Sequence, residues 1–259
     1  MNYFIEGLQG SGKSTLVQKL SNKYPDHRAL REGDYSPVEL AWCAYVDKAK
    51  YDEILDKYQD LRHRIEEKSF EENGKMVICY TQIITDVPGF HRDLEQYEIY
   101  NGRRSLEEFE GIVLGRYGRW NGDRMIFECS LLQNIVEDMI LYRTLSDEQI
   151  LNFYREVRTA LSGKNIRIFY LEAEDIAANI DVIRKERTDD KGNELWFPLM
   201  ITYFDESPYA KKYGVSGADG LINHLKHRQE LELRICGEVF GDLCTVLKSK
   251  GYDEAQVLL

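Results

Sequence analysis

The chain has 259 residues, of which 43% are hydrophobic and 31% are charged. This balance is typical of a globular protein with a substantial buried core, and it excludes a disordered chain. The formal net charge of -11 would repel a long phosphate backbone, so we expect no nucleic acid polymer as a partner.

The first predicted elements are a short strand at residues 2–6, a glycine-rich loop and a helix that ends near residue 22. Residues 7–14 read Gly-Leu-Gln-Gly-Ser-Gly-Lys-Ser and match every position of the motif G-x-x-x-x-G-K-[ST]. Backbone N–H groups of such a loop point at phosphate oxygens, and the following helix adds the positive end of its dipole. We therefore predict a phosphate-binding loop (P-loop). Its expected nucleotide contacts are Gly7, Gln9, Gly10, Ser11, Gly12, Lys13, Ser14 and Thr15.

Two side chains of this loop have specific expected roles. Lys13 is expected to reach the β and γ phosphates and to act catalytically, by stabilising charge as a phosphoryl group moves. Ser14 is placed to hold Mg²⁺, which bridges the same phosphate oxygens. A chance glycine-rich turn is the alternative, and a full motif match directly after a predicted strand argues against it.

An acidic turn follows the second predicted strand, which covers residues 28–31. Glu32 and Asp34 lie at the end of this strand, where ligands bind in an open parallel sheet. Either carboxylate is expected to act catalytically, by accepting a proton from an acceptor hydroxyl or by holding the metal, and we favour Asp34. Acids in a turn also serve solubility alone, and the sequence leaves that alternative open.

The next region is predicted to be largely helical. Residues 38–72 show apolar side chains at spacings of three and four without an internal proline, which indicates one long helix or two adjoining helices. Asn73-Gly74 ends that pattern, and residues 76–84 form an apolar run that resembles a strand. A further helix is predicted from a capping box at Ser105 to about residue 120.

Several polar side chains near the third predicted strand are candidate ligand contacts. Arg116 and Arg119 precede this strand and are candidate substrate contacts, because guanidinium groups bind phosphates. The strand ends on Glu128, at the sheet edge where ligands bind, so this carboxylate is predicted to hold Mg²⁺ directly or through water. Gln133 and Asn134 follow as candidate hydrogen-bonding partners of an acceptor molecule. Each of these residues can also serve packing or solvation alone.

A predicted arginine pair lies in the second half of the chain. The elements leading to it are a long helix from residue 131, a helix from a capping box at residues 146–149, a strand at residues 166–171 and a helix capped by Asp175. Arg184 and Arg187 share a face at the end of this last helix, and we predict that they clamp the transferring phosphate as catalytic residues. Basic residues also favour helix C-termini for dipole reasons, which is the alternative.

The remaining elements complete an alternating pattern. Residues 184–218 are predicted to form a lid of loop and short helix that excludes water during transfer. A helix at about residues 220–239 and a strand at residues 243–247 follow it. Strands that alternate with helices predict a parallel sheet with helices on both faces.

Four segments of the chain resemble the P-loop nucleoside and nucleotide kinases, especially the deoxynucleoside and thymidylate kinases. They come in the family's order and are the loop at residues 7–15, the acidic turn at residues 32–34, Phe-Glu-Cys-Ser at residues 127–130, and Tyr-Leu at residues 170–171 before the helix that carries the arginine pair. The chain also resembles bacterial P-loop NTPases with a similar Glu-Gly-Asp turn.

The resemblance implies an α/β fold of the P-loop NTPase type, with three α/β/α layers, a five-stranded parallel sheet, a helical insertion and a lid. It also implies ATP and Mg²⁺ as cofactors and transfer of the γ-phosphoryl group to a nucleoside, nucleotide or similar small acceptor. The family usually has an arginine after the acidic residue of the third strand. Cys129 occupies that position here, so one phosphate contact is missing or is supplied elsewhere, for example by Arg119.

We predict a single domain over residues 1–259, with a helical acceptor-side region at residues 38–120 and the lid at residues 184–218. The five cysteines show no C-x-x-C pair and no metal-ligand spacing, so reduced thiols in a cytoplasmic protein are expected. No signal-peptide pattern and no apolar window of membrane-spanning length is present, so no membrane partner is expected. The expected partner is a small-molecule acceptor, and a homodimer is left open.

Two other functions are left open. Residues 83–89 read Ile-Ile-Thr-Asp-Val-Pro-Gly and contain the D-x-x-G pattern of GTPase switches, but no N-K-x-D guanine-reading element follows. The substitution at Cys129 motivates a non-catalytic nucleotide sensor. Against a sensor, the predicted carboxylates and arginine pair occupy the places that phosphoryl-transfer chemistry requires.

Overall fold

The computed structural model describes residues 1–253, 256 and 257. Its strands are β1 (Asn2–Gly7), β2 (Arg28–Leu30), β3 (Ala44–Asp47), β4 (Ser69–Glu72), β5 (Lys75–Ile78), β6 (Met125–Glu128), β7 (Ile166–Glu172) and β8 (Cys244–Lys248). Its α-helices are α1 (Lys13–Lys23), α2 (Lys48–Lys57), α3 (Arg62–Glu67), α4 (Phe90–Glu95), α5 (Leu106–Arg119), α6 (Gln133–Leu141), α7 (Asp147–Ala160), α8 (Ile176–Glu186), α9 (Trp196–Glu206), α10 (Pro208–Tyr213) and α11 (Gly217–Arg234). Short 3-10 helices cover Gln59–Leu61, Tyr80–Gln82 and Gly241–Leu243, and a π-helical turn covers Ile235–Phe240.

Five strands form a parallel sheet in the order β2-β6-β1-β7-β8, with helices flanking it. The central strand β1 pairs with β6, where Ile5 lies opposite Glu128, and with β7, where Gly7 lies opposite Leu171. Every residue of β1 is buried, as expected for a strand of a parallel sheet that is covered on both faces. The predicted three-layer α/β/α fold with a five-stranded parallel sheet is confirmed.

Helix α1 packs against one face of this sheet. Leu16, Val17 and Leu20 recur at helical spacing and are fully buried in a cluster that includes Ile5 and Phe169. Each such side chain stabilises the fold by about 1.5–3 kcal/mol when it is fully buried. This packing holds the first turn of α1 beside the carboxyl end of β1.

The chain divides into two compact units. The first, here called the P-loop unit, comprises Met1–Ala29 and Asn121–Leu259, and the second, here called the inserted unit, comprises Leu30–Trp120. The predicted acceptor-side region at residues 38–120 lies inside the inserted unit. The prediction of a single domain with a lid stays a prediction.

The prediction of a helical region at residues 38–72 is wrong in part. The inserted unit contains a three-stranded antiparallel sheet in the order β3-β5-β4 beside its short helices. Asp47 ends β3 and caps α2, because its carboxylate accepts a hydrogen bond from the Lys50 backbone N–H at 2.8 Å. The mixed apolar spacing therefore reflects a buried cluster built from both helices and strands, which includes Val46, Ile54 and Ile78.

A tight hairpin turn explains why the helical pattern fails. Asn73 and Gly74 connect β4 to β5, with Glu72 paired to Lys75, and both have positive φ angles of 49° and 73°. Asn-Gly with two left-handed residues is the preferred sequence of a two-residue hairpin. Asn73-Gly74, which was predicted to end the helical pattern, therefore forms the turn of an antiparallel hairpin.

Several local predictions are confirmed. Ser146 and Gln149 form the capping box of α7, Asp175 caps α8 through the Ala178 N–H, and Ser105 caps α5 through the Glu108 N–H. The helix expected from residue 131 is shorter than predicted, because α6 ends at Leu141. Within the described part of the chain, no helix combines the length and the apolar character that crossing a membrane requires.

We expect Gly74→Ala to lower the free energy of unfolding by about 1 kcal/mol, because an L-residue is disfavoured in the left-handed conformation. Gly111→Ala is the matched control. Gly111 lies exposed within α5, and no atom lies within 4 Å of an added Cβ. This control should raise the free energy of unfolding by about 0.5–1 kcal/mol. Urea denaturation of both variants measures the difference, and equal effects would contradict the assigned turn.

Candidate functional site

The glycine-rich loop connects β1 to α1 within the P-loop unit. Gly12 has a φ of 95° and precedes the first residue of α1, so its left-handed conformation directs the chain into the helix. A Cβ added at Gly7 would lie only 2.6 Å from the carbonyl oxygen of Leu171 on β7. Glycine is therefore required at Gly7, and the loop lies directly against the carboxyl edge of the sheet.

Lys13 holds its positive charge inside this loop. The side chain is buried, and its Nζ donates hydrogen bonds of 2.8 Å to the carbonyl oxygens of Gly7 and Leu8. A buried ammonium is costly unless polar partners surround it, and these carbonyls supply part of that compensation. The loop therefore combines a local cation with the amino end of α1, which is the arrangement that binds phosphate anions.

Ser14 and Glu128 form a hydrogen-bonded pair of oxygen groups at the same edge. Ser14 lies in the first turn of α1, and its Oγ donates a hydrogen bond of 2.5 Å to Oε1 of Glu128. Glu128 is the last residue of β6 and is buried, whereas Ser14 is exposed. A hydroxyl and a carboxylate fit Mg²⁺, which prefers oxygen ligands and takes its others from water and substrate phosphates.

No larger metal centre is present among the described residues. No group of three or more His, Cys, Asp or Glu side chains there could hold a metal ion.

Helix α8 packs directly on the P-loop. The side-chain amide of Asn179 donates a hydrogen bond of 2.8 Å to the carbonyl oxygen of Gln9. One turn later, Ile183 lies so close that a Cβ on Gly10 would meet its Cγ1 at 2.4 Å. Arg187 follows Ile183 by four residues, directly after the last residue of α8.

Both members of the predicted arginine pair have partners. Arg184 forms ion pairs with Asp181 at 3.1 Å and Glu194 at 2.9 Å. The guanidinium of Arg187 stacks 5.4 Å from the ring of Trp196 at the start of α9. The role of the pair as a phosphate clamp stays a prediction.

A buried charge network on α11 also contacts the loop, and the sequence analysis missed it. Arg228 on α11 is fully buried and donates to Gln9 Oε1 at 3.0 Å and to Glu137 Oε2 at 2.8 Å. It also pairs with Glu232 at 3.2 Å, and the ring of His224 lies 2.9 Å from Glu137. The loop is therefore held through Gln9 by two helices, α8 and α11.

The charges of this network perturb its carboxyl groups. Burial alone would raise the pKa of Glu137, but the charges and hydrogen bonds of His224 and Arg228 lower it to about 2. Burial raises the pKa of Glu232, although Arg228 and Tyr170 oppose that shift. Glu137 is therefore held as a carboxylate that fixes the guanidinium of Arg228.

Glu6 is a second buried group that the sequence analysis missed. Its carboxylate, on β1, accepts hydrogen bonds from the backbone N–H groups of Leu131, Leu132 and Gln133 at 2.7 to 3.3 Å. It thereby binds the amino end of α6 and positions the segment that follows Glu128. Burial raises its pKa to about 7, although the backbone hydrogen bonds oppose the shift.

The predicted acceptor contacts Gln133 and Asn134 lie in this segment of the P-loop unit. Cys129 has a left-handed φ of 56°, and its thiol donates to Gln133 Oε1 at 3.5 Å. The side-chain amide of Asn134 donates to the carbonyl oxygen of Cys129 at 3.3 Å. Both residues thus hold the turn after β6, and their contact with an acceptor stays a prediction.

The carboxylates of the acidic turn lie in the inserted unit. Glu32 accepts a hydrogen bond from Trp42 Nε1 at 3.0 Å. Asp34 accepts from the backbone N–H of Arg31 at 2.8 Å and from Gln82 Nε2 at 3.0 Å. Their predicted catalytic roles are not tested by these contacts.

The predicted substrate arginines also lie in the inserted unit. Arg116 is buried and donates to Glu72 and to the carbonyl oxygen of Ser36. The guanidinium of Arg119 lies along its own helix, where a Cβ added at Gly115 would be 2.9 Å from Nη1. These contacts give Arg116 a structural role, and substrate contact by either arginine stays a prediction.

Two solved structures align with nearly the full chain. A gluconokinase from Sinorhizobium meliloti 1021 covers 99% of this chain and 86% of its own, with 11% identity and a TM-score of 0.36. A deoxyadenosine kinase from M. mycoides with bound dATP covers 99% of this chain and 95% of its own, with 14% identity and a TM-score of 0.39. Because the identities and TM-scores are this low, these similarities support no conclusion about fold or function. The assigned fold rests on the geometry described above. No family model matches the chain, and no curated protein matches it.

We expect Arg228→Met to lower the free energy of unfolding by about 3–5 kcal/mol, because the buried Glu137 would lose its charged partner. Arg234→Met on the same helix is the control. Arg234 forms solvent-exposed ion pairs with Asp147, Glu148 and Glu238, so its replacement should change the stability little. Urea denaturation compares the two variants, and equal losses would contradict the importance of the buried pair.

The raised pKa of Glu6 predicts that the free energy of unfolding depends on pH. Its folded pKa of about 7 exceeds the ordinary value of 4.5, so protonation stabilises the fold at low pH. That contribution is complete below about pH 4.5 and is lost as the pH rises through 7, amounting to about 3 kcal/mol. Glu6→Gln mimics the protonated group and should remove this part of the slope. Urea denaturation at pH 5 and pH 8 measures the difference between wild type and variant, and parallel slopes would contradict it.

Proposed function

We propose that the protein is a phosphotransferase that moves the γ-phosphoryl group of Mg-ATP to a hydroxyl or phosphate of a small acceptor, such as a nucleoside or nucleotide. The observation that carries the proposal is the Ser14–Glu128 pair beside the buried Lys13 amine. All three groups lie at the carboxyl edge of a parallel sheet, where ligands of open α/β sheets bind.

The residues of the P-loop unit support distinct parts of this chemistry. The loop amides and Lys13 would bind the phosphates and oppose the negative charge that develops during transfer. Ser14 and Glu128 would hold Mg²⁺, which neutralises charge on the β and γ phosphates when bound. Arg184 and Arg187 are proposed to stabilise the transferring group.

The acidic turn is proposed to supply the residue that acts on the acceptor. Asp34, or Glu32 in its place, would orient the acceptor and accept the proton of its hydroxyl as the new P–O bond forms. Gln133, Asn134, Arg116 and Arg119 remain proposed acceptor contacts. The proton leaves the acceptor oxygen, and ADP leaves with the electron pair of the broken bond.

We expect Lys13→Ala to reduce the rate of phosphoryl transfer at least 100-fold, because the transition state loses a fixed cation. Lys19→Ala is the matched control, since Lys19 is exposed on the same helix α1. Turnover of radiolabelled ATP with a panel of acceptors measures both variants, and circular dichroism verifies that each is folded. A Lys13→Ala variant with the wild-type rate would refute the proposal.

A thermal-shift panel identifies the ligand class. ATP, GTP, nucleosides, nucleotides and aminoglycosides are added separately, because a ligand that binds the native state raises its melting temperature. Stabilisation by GTP but not ATP would favour the alternative of a GTPase. Stabilisation by ATP without turnover on any acceptor would favour a nucleotide sensor.

A further inference from the structure

Two thiols face each other at the end of the antiparallel sheet in the inserted unit. Cys43 directly precedes β3 and Cys79 directly follows β5. Because Ala44 pairs with Ile78 in this antiparallel ladder, Cys43 and Cys79 occupy the next opposing positions. Their sulfur atoms are 3.6 Å apart, and the Cys43 thiol donates a hydrogen bond to Cys79 Sγ.

The hydrogen-bond pattern places this pair at a non-hydrogen-bonded position of the ladder, which suits a cross-strand disulfide. The Tyr45 N–H donates to Tyr97 instead of to β5, so position 45 belongs to a non-hydrogen-bonded pair, and the alternation makes position 43 another. Consistently, the N–H groups of Cys43 and Cys79 donate to Leu40 and Lys68. Opposing Cα atoms of such pairs are about 4.5 Å apart, which lies within the range that a disulfide spans.

We propose that Cys43 and Cys79 form a reversible intramolecular disulfide when the protein reacts with a small peroxide. To form this bond, the sulfurs would approach from 3.6 Å to about 2.05 Å. The bond would join the segments that hold the acidic turn, because Trp42 binds Glu32 and Gln82 binds Gly33.

The chemistry assigns a different role to each cysteine. The hydrogen bond from Cys43 lowers the pKa of Cys79, which makes Cys79 the thiolate that attacks. Its sulfur takes one oxygen of hydrogen peroxide as the O–O bond breaks, giving a sulfenic acid and releasing water after proton uptake. The sulfur of Cys43 then attacks that of Cys79, the S–O bond breaks, and a second water leaves with the Cys43 proton. Two electrons pass from the thiol pair to the peroxide.

One hydrogen bond joins the residues that adjoin the two cysteines in the chain. Cys43 and Cys79 are both buried, but Trp42, which precedes Cys43, is 45% exposed and has a left-handed φ of 62°. Thr81 Oγ1 donates to the Trp42 carbonyl oxygen at 3.3 Å and so joins the segments that carry the pair. Opening of this contact would admit a molecule as small as hydrogen peroxide.

The test treats the full-length protein with increasing hydrogen peroxide, blocks free thiols by alkylation and maps peptides without reduction. We expect a Cys43–Cys79 link that dithiothreitol reverses, formed at lower peroxide concentrations than any oxidation of the buried Cys129. The oxidised protein should melt several degrees higher, since the closed loop restricts the unfolded chain. Cys43 and Cys79 recovered as free thiols at peroxide concentrations that oxidise Cys129 would overturn the proposal. A link formed only between Cys236 and Cys244, whose thiols are also hydrogen-bonded to each other, would overturn it too.

Single variants test the order of the two steps. In Cys43→Ser, dimedone should label a sulfenic acid on Cys79, because no second thiol can displace the oxygen. In Cys79→Ser, Cys43 should stay unlabelled. Labelling of Cys43 in the second variant, without labelling of Cys79 in the first, would overturn the assigned roles. Circular dichroism verifies folding, and the wild-type peptide map decides the proposal if a variant does not fold.

Discussion

The candidate nucleotide site depends on hydrogen bonds that hold the P-loop from outside. Asn179 binds the carbonyl oxygen of Gln9, Arg228 binds its side chain, and the hydroxyl of Ser249 binds the carbonyl oxygen of Ser11 at 2.8 Å. A glycine-rich loop loses much conformational entropy when it becomes ordered. These external contacts offset part of that loss and hold the loop in its observed conformation.

The sheet and the central part of this site could be predicted because their signals are local. The P-loop motif identifies the strand before it and the helix after it, and parallel strands place their carboxyl ends at one edge. Ser14 and Glu128 lie 114 positions apart in sequence but follow from that rule, and their hydroxyl and carboxylate are in direct contact. Capping residues such as Ser146 could also be predicted, because each cap forms its hydrogen bonds within one helical turn.

The rest depends on contacts between distant segments, which a single sequence does not reveal. Arg228 and Glu137 are 91 positions apart. The spacing of four between Arg228 and Glu232 was the one local indication that charged side chains share a helix face.

In the inserted unit, the local sequence pattern predicted the wrong type of element. Its apolar spacing resembled a helix, while the antiparallel pairing of β3 with β5 is decided by tertiary packing. Intrinsic patterns therefore described the P-loop unit better than the inserted unit.

Helix α8 links the loop to the segment that follows it. Because Asn179 and Ile183 contact the loop, α8 cannot rotate as a rigid rod without pulling on Gln9 and Gly10. Arg187 leaves the helical conformation with φ and ψ of -110° and 58°, directly after the last residue of α8. Arg187 therefore marks the end of the helix that contacts the loop, so a displacement of α8 would also move the backbone of the loop.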